Sequence, residues 1–328
     1  MRADALGVGI DVGGTKSLGV VVDASGSVLA ESRVPTPDGA DELLAMLEAV
    51  IGELTELAGD VAGVGVGVPG IVVADGRRRY APNLVGADEL PVRELLAERV
   101  DVPVVVANDT DCAVWAEHSL GAAQGHSEAV LVTLGTGIGS GIIAQGGLQL
   151  GANGFAGELG HHIVQPAGRL CSCGRRGCWE TVASATALAR MAAEAVEGGV
   201  TGALHSLAGG DPSSLRGEQV TKAAREGDEG ALAVIDEFTR WVGIGLANCV
   251  DLLDPSLILV GGGLVAEQEL LLPRIRRHCR DHLFAAEHRP EVAIEPAGLG
   301  ERAGALGAAV LGRDSSARTR TGLASPLR

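Results

Sequence analysis

Three of the six cysteines, Cys171, Cys173 and Cys178, form a C-x-C-x4-C cluster inside the stretch Gly157 to Glu180, GELGHHIVQPAGRLCSCGRRGCWE, which also holds His161. Gly168, Gly174 and Gly177 supply tight turns between them. Three thiolates and one imidazole make the closed tetrahedral donor set of a structural zinc site. A disulfide fits poorly, because Cys171 and Cys173 are separated by a single residue and three cysteines leave one over. The expected ligands of a structural Zn2+ are His161, Cys171, Cys173 and Cys178. His162 competes for the same role, and spacing to Cys171 favours His161.

Carboxylates flank this cluster. Glu158 precedes His161 and Glu180 follows Cys178. A metal that fixes the histidine ring and the last cysteine also fixes the two carboxylates relative to each other. Coordination through one ring nitrogen leaves the other as an oriented donor. Two acceptors and one donor suit a vicinal diol, as in a sugar. The plainer alternative is a zinc-pinned loop whose glutamates are only solvated.

A second chemistry is written in glycine. Leu6 to Ile10 enters the turn Gly13-Gly14-Thr15-Lys16, and Leu18 to Val22 leaves it. Laying IDVGGTKSLGVVVDASG over VTLGTGIGSGIIAQGGL puts Gly13 on Gly135 and Gly19 on Gly141. One glycine-turned hairpin thus opens each half of the chain, and a single repeat at that distance means two like domains rather than a solenoid. Backbone N–H groups gathered in such turns suit a polyphosphate without net positive charge. Asp11 faces the first turn, where it could hold a hydrated Mg2+, and Thr15 and Lys16 add donors. Strand–turn–strand is the wrong setting for a dinucleotide fold, which needs strand–turn–helix. A third glycine cluster, Gly261-Gly262-Gly263, follows another apolar run. Asn108-Asp109 closes the run Val102 to Ala107, at the carboxyl edge where open α/β sheets place their sites. Spacing alone makes Asp109 the cap of the helix that starts at Thr110; the chemical alternative is a base for a hydroxyl attacking phosphorus, with Asn108 holding a neighbouring hydroxyl.

These residues need elements to carry them. The pattern predicts a third strand near Val28 to Glu31, a helix from Asp41 to Ala58 with Asp41 as N-cap, and a strand over Val61 to Val68. A helix over Asp88 to Val100 tolerates Pro91 only in its first turn. Val102 to Ala107 reads as a buried parallel strand and Thr110 to Leu120 as a helix. In the second half, helices are expected over Ser184 to Val196 and Glu229 to Leu253, with a loop-rich stretch from Gly198 to Gly217. A strand over Leu257 to Val260, a helix, a strand near Val292 to Ile294 and a last helix near Ala303 to Leu311 follow. The alternation predicts α/β layers. The expected division is a small α/β domain over residues 1–116, onto which the helix near 303–312 packs back, a large domain over 117–302, and a disordered tail over 314–328. Cys112, Cys249 and Cys279 read as core residues.

Composition bounds the rest. With 328 residues, 46% of them hydrophobic, the chain can fill two cores. Only 2% are aromatic, so those cores must be aliphatic. The 26 basic and 42 acidic residues leave a net charge of −16, which argues against a nucleic-acid surface. No signal peptide or run of ~20 apolar residues is visible, so a cytoplasmic protein without a membrane partner is expected.

G-E-x-G-H followed by C-x-C-G-x2-G-C-x-E resembles the signature of the ROK family of bacterial sugar kinases, repressors and open reading frames, over about Gly7 to Gly312. The resemblance implies a two-domain actin/hexokinase-like (ribonuclease H-like) fold. It also implies an ATP- and Mg2+-dependent sugar kinase, most simply one that phosphorylates the 6-hydroxyl of glucose, assembled as a homodimer or homotetramer. Asp11, Gly13, Gly14, Thr15 and Lys16 look like the first phosphate motif, Gly135, Thr136 and Gly137 the second, and Gly261, Gly262 and Gly263 the adenosine motif. Asp109 takes the part of the base. Asn83, Asn108, Asp109, Glu158, His161 and Glu180 take the part of the sugar-binding set; by itself Asn83 is only a turn asparagine after proline. The chain departs from the family at Val85-Gly86-Ala87, where a tryptophan is usual, and at Thr110-Asp111. A kinase for N-acetylmannosamine, N-acetylglucosamine, fructose or a cyclitol, use of polyphosphate as donor, and a sugar-responsive regulator are the alternatives. The repressors of the family carry a DNA-binding helix-turn-helix segment ahead of the first glycine turn, and with no basic stripe there the regulator is the least expected of these alternatives.

Overall fold

The computed structural model describes residues 5–80 and 89–321, with backbone alone for 315–321. In chain order the elements are β1 (Leu6–Val12), β2 (Lys16–Val22), β3 (Val28–Pro35), α1 (Ala40–Ala58), β4 (Val61–Val68), β5 (Ile71–Val72), β6 (Arg78–Tyr80), α2 (Val92–Ala97), β7 (Val104–Asn108) and α3 (Asp109–Leu120). Then come β8 (Ala129–Leu134), β9 (Ile138–Ala144), β10 (Gly147–Leu148), α4 (Glu180–Ala183), α5 (Ala185–Glu197), α6 (Ala203–Ala208), α7 (Gly217–Arg225) and α8 (Glu229–Leu253). The chain closes with β11 (Leu257–Gly261), α9 (Gln268–His282), β12 (Ala293–Pro296) and α10 (Ala303–Thr321). Two five-stranded sheets take the orders β3-β2-β1-β4-β7 and β10-β9-β8-β11-β12. The repeat seen in the hairpins therefore extends to the strand order.

Contacts divide the chain into one unit of residues 1–131, 141–157 and 297–328, and another of 132–140 and 158–296. The expected cut between 116 and 117 is not where the division falls. Part of the reason is Gly141 on β9: a side chain there would run into Val114 and the Thr110 carbonyl of α3, so β9 from Gly141 onward belongs with the first unit.

In the first unit, β1 pairs antiparallel with β2 and parallel with β4, and β4 pairs parallel with β7. Period-2 alternation gives the sheet two different faces. Val8, Ile10, Val64 and Val66 share a core with the α1 stripe Leu43, Leu47, Val50, Ile51 and Leu54. On the opposite face β2 offers Leu18, Val20 and Val22 to α10, while β1 and β4 offer mostly glycine. A Cβ at Gly65 would lie 1.8 Å from the Ala308 carbonyl, and one at Gly9 would lie 2.0 Å from that of Ala305. The sheet glycines and the small residues of α10 thus let helix and strands meet at backbone distance. Adding a methyl at either position would force the helix off, at a cost of ~1–3 kcal/mol or more.

In the second unit, α8 is capped by Asp228, whose Oδ1 accepts from Ala231 N at 2.8 Å, and is stopped by Asp254 in the left-handed region at φ 45°. Gly245 on α8 leaves room for the fully buried Trp179, whose Nε1 donates to the Trp241 carbonyl at 2.8 Å. That ring fastens the end of the cysteine loop to the longest helix.

Several expectations change. α1 starts at Ala40 with Gly39 at the cap, so Asp41 lies in the first turn, favouring the helix dipole, instead of capping. The helix expected over Asp88 to Val100 spans only Val92–Ala97, because Leu90 is bridged to Arg78 and Pro91 holds the cap position. β7 begins after Pro103 and runs on to Asn108, and α3 starts at Asp109. The stretch expected to be loop-rich contains α6, and α7 begins at its last glycine. α10 continues through the first part of the expected tail to Thr321. Among the described residues, no helix is long and apolar enough to cross a membrane.

Candidate active site

In the first unit, the Gly13–Lys16 turn closes with Gly13 N donating to Lys16 O at 3.1 Å. Thr36, just past β3, holds it from outside: its N donates to Thr15 O at 3.0 Å and its Oγ1 to Gly13 O at 2.7 Å. Gly14, Thr15 and Lys16 are exposed. Asp11 lies one strand over from Gly67, and a Cβ at Gly67 would be 3.7 Å from Asp11 Oδ1 and 3.5 Å from Asp109 Cα. On its other side, a Cβ at Gly304 would lie 2.5 Å from Asp11 Oδ2. Glycines thus make the space in which the two carboxylates stand.

Asn108, not Asp109, caps α3. Its Oδ1 accepts from Thr110 N at 2.8 Å and Asp111 N at 3.1 Å, and its Nδ2 donates to Gly70 O at 3.0 Å. Asp109 is therefore released from capping duty. Its Oδ1 accepts from Thr110 N at 2.7 Å, which orients the carboxylate. Burial raises its pKa, opposed by the Thr110 and Asn108 hydrogen bonds. Burial, and then the charge of Asp109, push Asp11 up to about 7. Neither carboxylate has an ion-pair partner among the described residues, so the pair has the chemistry of a cation site. The Cys112 thiol beneath them is buried and pushed up by that burial and by the surrounding carboxylates.

In the second unit, His161 ends the single turn Leu159–His161, and its Nδ1 lies 3.6 Å from Cys171 Sγ. Cys173 and Cys178 sulfurs are 3.6 Å apart, and all four donor atoms fall within 4.8 Å of one another. That donor set and spacing fit Zn2+. His162 is turned away: its Nδ1 donates to the Leu159 carbonyl, its Nε2 accepts from Asn248 Nδ2 at 3.3 Å, and its ring packs on Trp179. Glu180 Oε1 stands 2.9 Å from Cys171 Sγ and 3.6 Å from His161 Nδ1. Burial, with this carboxylate beside it, pushes the Cys171 thiol up. Glu158 is exposed and precedes the His161 turn.

The second glycine turn closes with Gly135 N donating to Gly137 O at 3.0 Å. The start of α5 holds it: Ala185 N donates to Gly135 O at 2.8 Å and Thr186 Oγ1 to Thr136 O at 2.8 Å. Gly262 has φ 87°, and a Cβ there would lie 2.5 Å from the Leu134 carbonyl, so a glycine is required where β11 passes β8. The structure thus gathers Asp11, the first turn, Asn108 and Asp109 in one unit, and Glu158, His161, Glu180, the cysteines and the other glycine turns in the second. Asn83 falls at 81–88, outside the described residues. Thr36, Thr186 and Gly304 had no sequence signal of their own, since each works by distance to a segment remote in the chain.

Residues 7–315 match the ROK family. A glucokinase of Streptomyces coelicolor is 38% identical over 315 residues, covering 94% of this chain and 98% of the relative. A glucokinase of Halalkalibacterium halodurans is 35% identical, covering 92% of each. The crystal structure of a ROK family glucokinase from Streptomyces griseus, in complex with glucose and AMPPNP, superposes with a TM-score of 0.83 at 40% identity, covering 94% of this chain and all of that one.

Proposed function

The chain belongs to the ROK family and has its actin/hexokinase-like fold, and from that premise we propose that it is an ATP-dependent glucokinase, moving the γ-phosphoryl group of ATP to the 6-hydroxyl of glucose. The observation that carries the reading is Asp109: a buried carboxylate at the carboxyl end of β7, oriented by Thr110 and freed from capping by Asn108. Desolvation makes it a stronger base than a carboxylate in water. As the sugar oxygen bonds to phosphorus and the bond from phosphorus to the ADP oxygen breaks, Asp109 takes the hydroxyl proton.

Asn108 keeps one amide hydrogen beyond its bond to Gly70, which can donate to the sugar. Glu158, Glu180 and the Nε2 of His161 form the rest of the sugar-binding set, with Asn83. The amides of the two glycine turns, with Thr15 and Lys16, take the phosphates, and Gly261 to Gly263 the adenosine side. Asp11 would hold Mg2+, which neutralises phosphate charge when bound. His161, Cys171, Cys173 and Cys178 would hold Zn2+, which fixes the loop and the ring. Assembly as a homodimer or homotetramer belongs to the same reading and is tested by light scattering of the purified chain.

Turnover measured with ATP over a panel of glucose, mannose, fructose, N-acetylglucosamine and N-acetylmannosamine tests the proposal. Glucose is expected to have the highest kcat/KM. Preference for another sugar by tenfold or more would move the assignment to that sugar.

A further inference from the structure

Gly135 and Gly137 lie in one turn but meet very different surroundings. A Cβ at Gly135 would have nothing closer than the Gly137 carbonyl at 4.0 Å. A Cβ at Gly137 would lie 2.5 Å from Glu180 Oε2. Neither residue has a positive φ, so the backbone itself does not demand glycine at either position. The demand at Gly137 comes from the neighbouring carboxylate. Glu180 is held from the other end as well, with Oε1 2.9 Å from Cys171 Sγ. Swinging away from a new methyl group would drive its carboxylate toward the cysteine cluster.

The residues after Glu180 return to the same turn. Ala185 N and Thr186 Oγ1 bond to the carbonyls of Gly135 and Thr136. The segment from Cys178 to Thr186 therefore grips the metal-type cluster at one end and the second glycine turn at the other.

We propose that Gly137, a residue of the phosphate-type turn, is a positioning residue for sugar binding: its missing side chain sets where the Glu180 carboxylate stands. The inference rests on the sugar-kinase reading and extends it by tying the second glycine turn to the sugar-binding carboxylate. Part of any cooperation between nucleotide and sugar would then pass through this contact, since a ligand that shifts the turn shifts Glu180 with it.

The test is calorimetric titration of glucose, without nucleotide, into wild-type, Gly137→Ala and Gly135→Ala proteins, with zinc content measured on the same samples. Gly137→Ala is expected to weaken glucose binding about tenfold or more, and Gly135→Ala to leave it within about twofold, although both alter the same turn. Glucose affinity in Gly137→Ala within twofold of wild type overturns the inference. Absence of glucose binding by the wild-type protein overturns the sugar reading itself, which keeps the two failures apart. If Gly137→Ala does not fold, the double variant Gly137→Ala/Glu180→Ala decides. Removing the colliding carboxylate should restore a melting temperature equal to that of Glu180→Ala alone, and a double variant that still fails to fold overturns the inference.

Discussion

The two glycine turns align with each other in sequence and are built alike, yet they are equipped differently. Each closes a hairpin with one short backbone bond, and each is held by a threonine from outside the hairpin, Thr36 in one case and Thr186 in the other. The first carries its own charges: Lys16 ends it, and Asp11 stands one strand residue before it with Asp109 close by. The second has no charged residue of its own and takes its one carboxylate, Glu180, from the cysteine loop. The chain thus holds the same amide cradle twice. What each copy does follows from the third segment that reaches it, an acidic strand end in one and a metal-type loop in the other.

The sharpest way to break this contrast is to neutralise the acidic side. Asp109→Asn keeps shape and removes basicity. It is expected to lower kcat by about three orders of magnitude or more while glucose affinity stays within about threefold. Retention of even a tenth of the wild-type kcat, about 1.4 kcal/mol in barrier, would show that Asp109 is not the base.

The second prediction concerns Asp11. Its folded pKa of about 7 exceeds the unfolded value of 3.8, so the folded state holds the proton more tightly. The stability this confers is full below about pH 4 and is lost as pH rises through 7. Asp11→Asn should remove that slope, making the metal-free variant more stable than wild type above pH 7, by at most ~4 kcal/mol. Melting curves from pH 4 to 8 check it; added Mg2+ should flatten the wild-type curve and leave the variant unchanged. Parallel slopes in both proteins would remove Asp11 from the argument.

On the other side, Glu180→Gln should weaken glucose binding by about 1.5–3 kcal/mol, one to two orders of magnitude, and leave one zinc per chain in place. Changing Cys171, Cys173 or Cys178 to serine should lose zinc and activity together. Normal glucose binding by Glu180→Gln would make the flanking carboxylates solvated bystanders. Fully active protein without zinc would take the metal out of the site.

What the sequence disclosed divides along the same line as the turns. The hairpins, the cysteine cluster and the ROK signature were legible because each lies within a few residues of chain. α8 was legible from end to end, since Asp228 and Asp254 bound a long apolar stripe. α7 was not, because it opens on Gly217 in turn-rich sequence and its cap is Arg216, whose N donates to Gln219 Oε1 at 2.8 Å. Asp41 suggested a cap by residue type, but the chain turns into α1 at Gly39. The glycines of β1 and β4 gave no sign of their role in the sequence. Their purpose, admitting α10 at backbone distance, depends on residues hundreds of positions away. The same is true of Gly304 beside Asp11, and over a shorter stretch of chain Gly137 beside Glu180 is equally silent in the sequence.

The smallest expected effects are those that compare the two threonines directly. Thr36→Val and Thr186→Val each remove one hydroxyl donor to a turn carbonyl and keep the shape of the side chain. A net hydrogen bond is worth ~0.5–1.5 kcal/mol, or roughly two- to tenfold in nucleotide affinity if the turn must be rigid to bind phosphate. The two should not be equal. Thr36 Oγ1 is half-buried and also bonds Ser17 Oγ at 2.9 Å, so its loss strands a carbonyl and a hydroxyl where water enters poorly. Thr186 is exposed, and water can replace its bond to Thr136 O. AMPPNP titrations should therefore show Thr36→Val near the upper end of the range and Thr186→Val near the lower end. If Thr186→Val weakens the nucleotide as much as Thr36→Val does, the second turn depends on its outside threonine no less than the charged one, and the contrast between the two cradles narrows to the carboxylates alone.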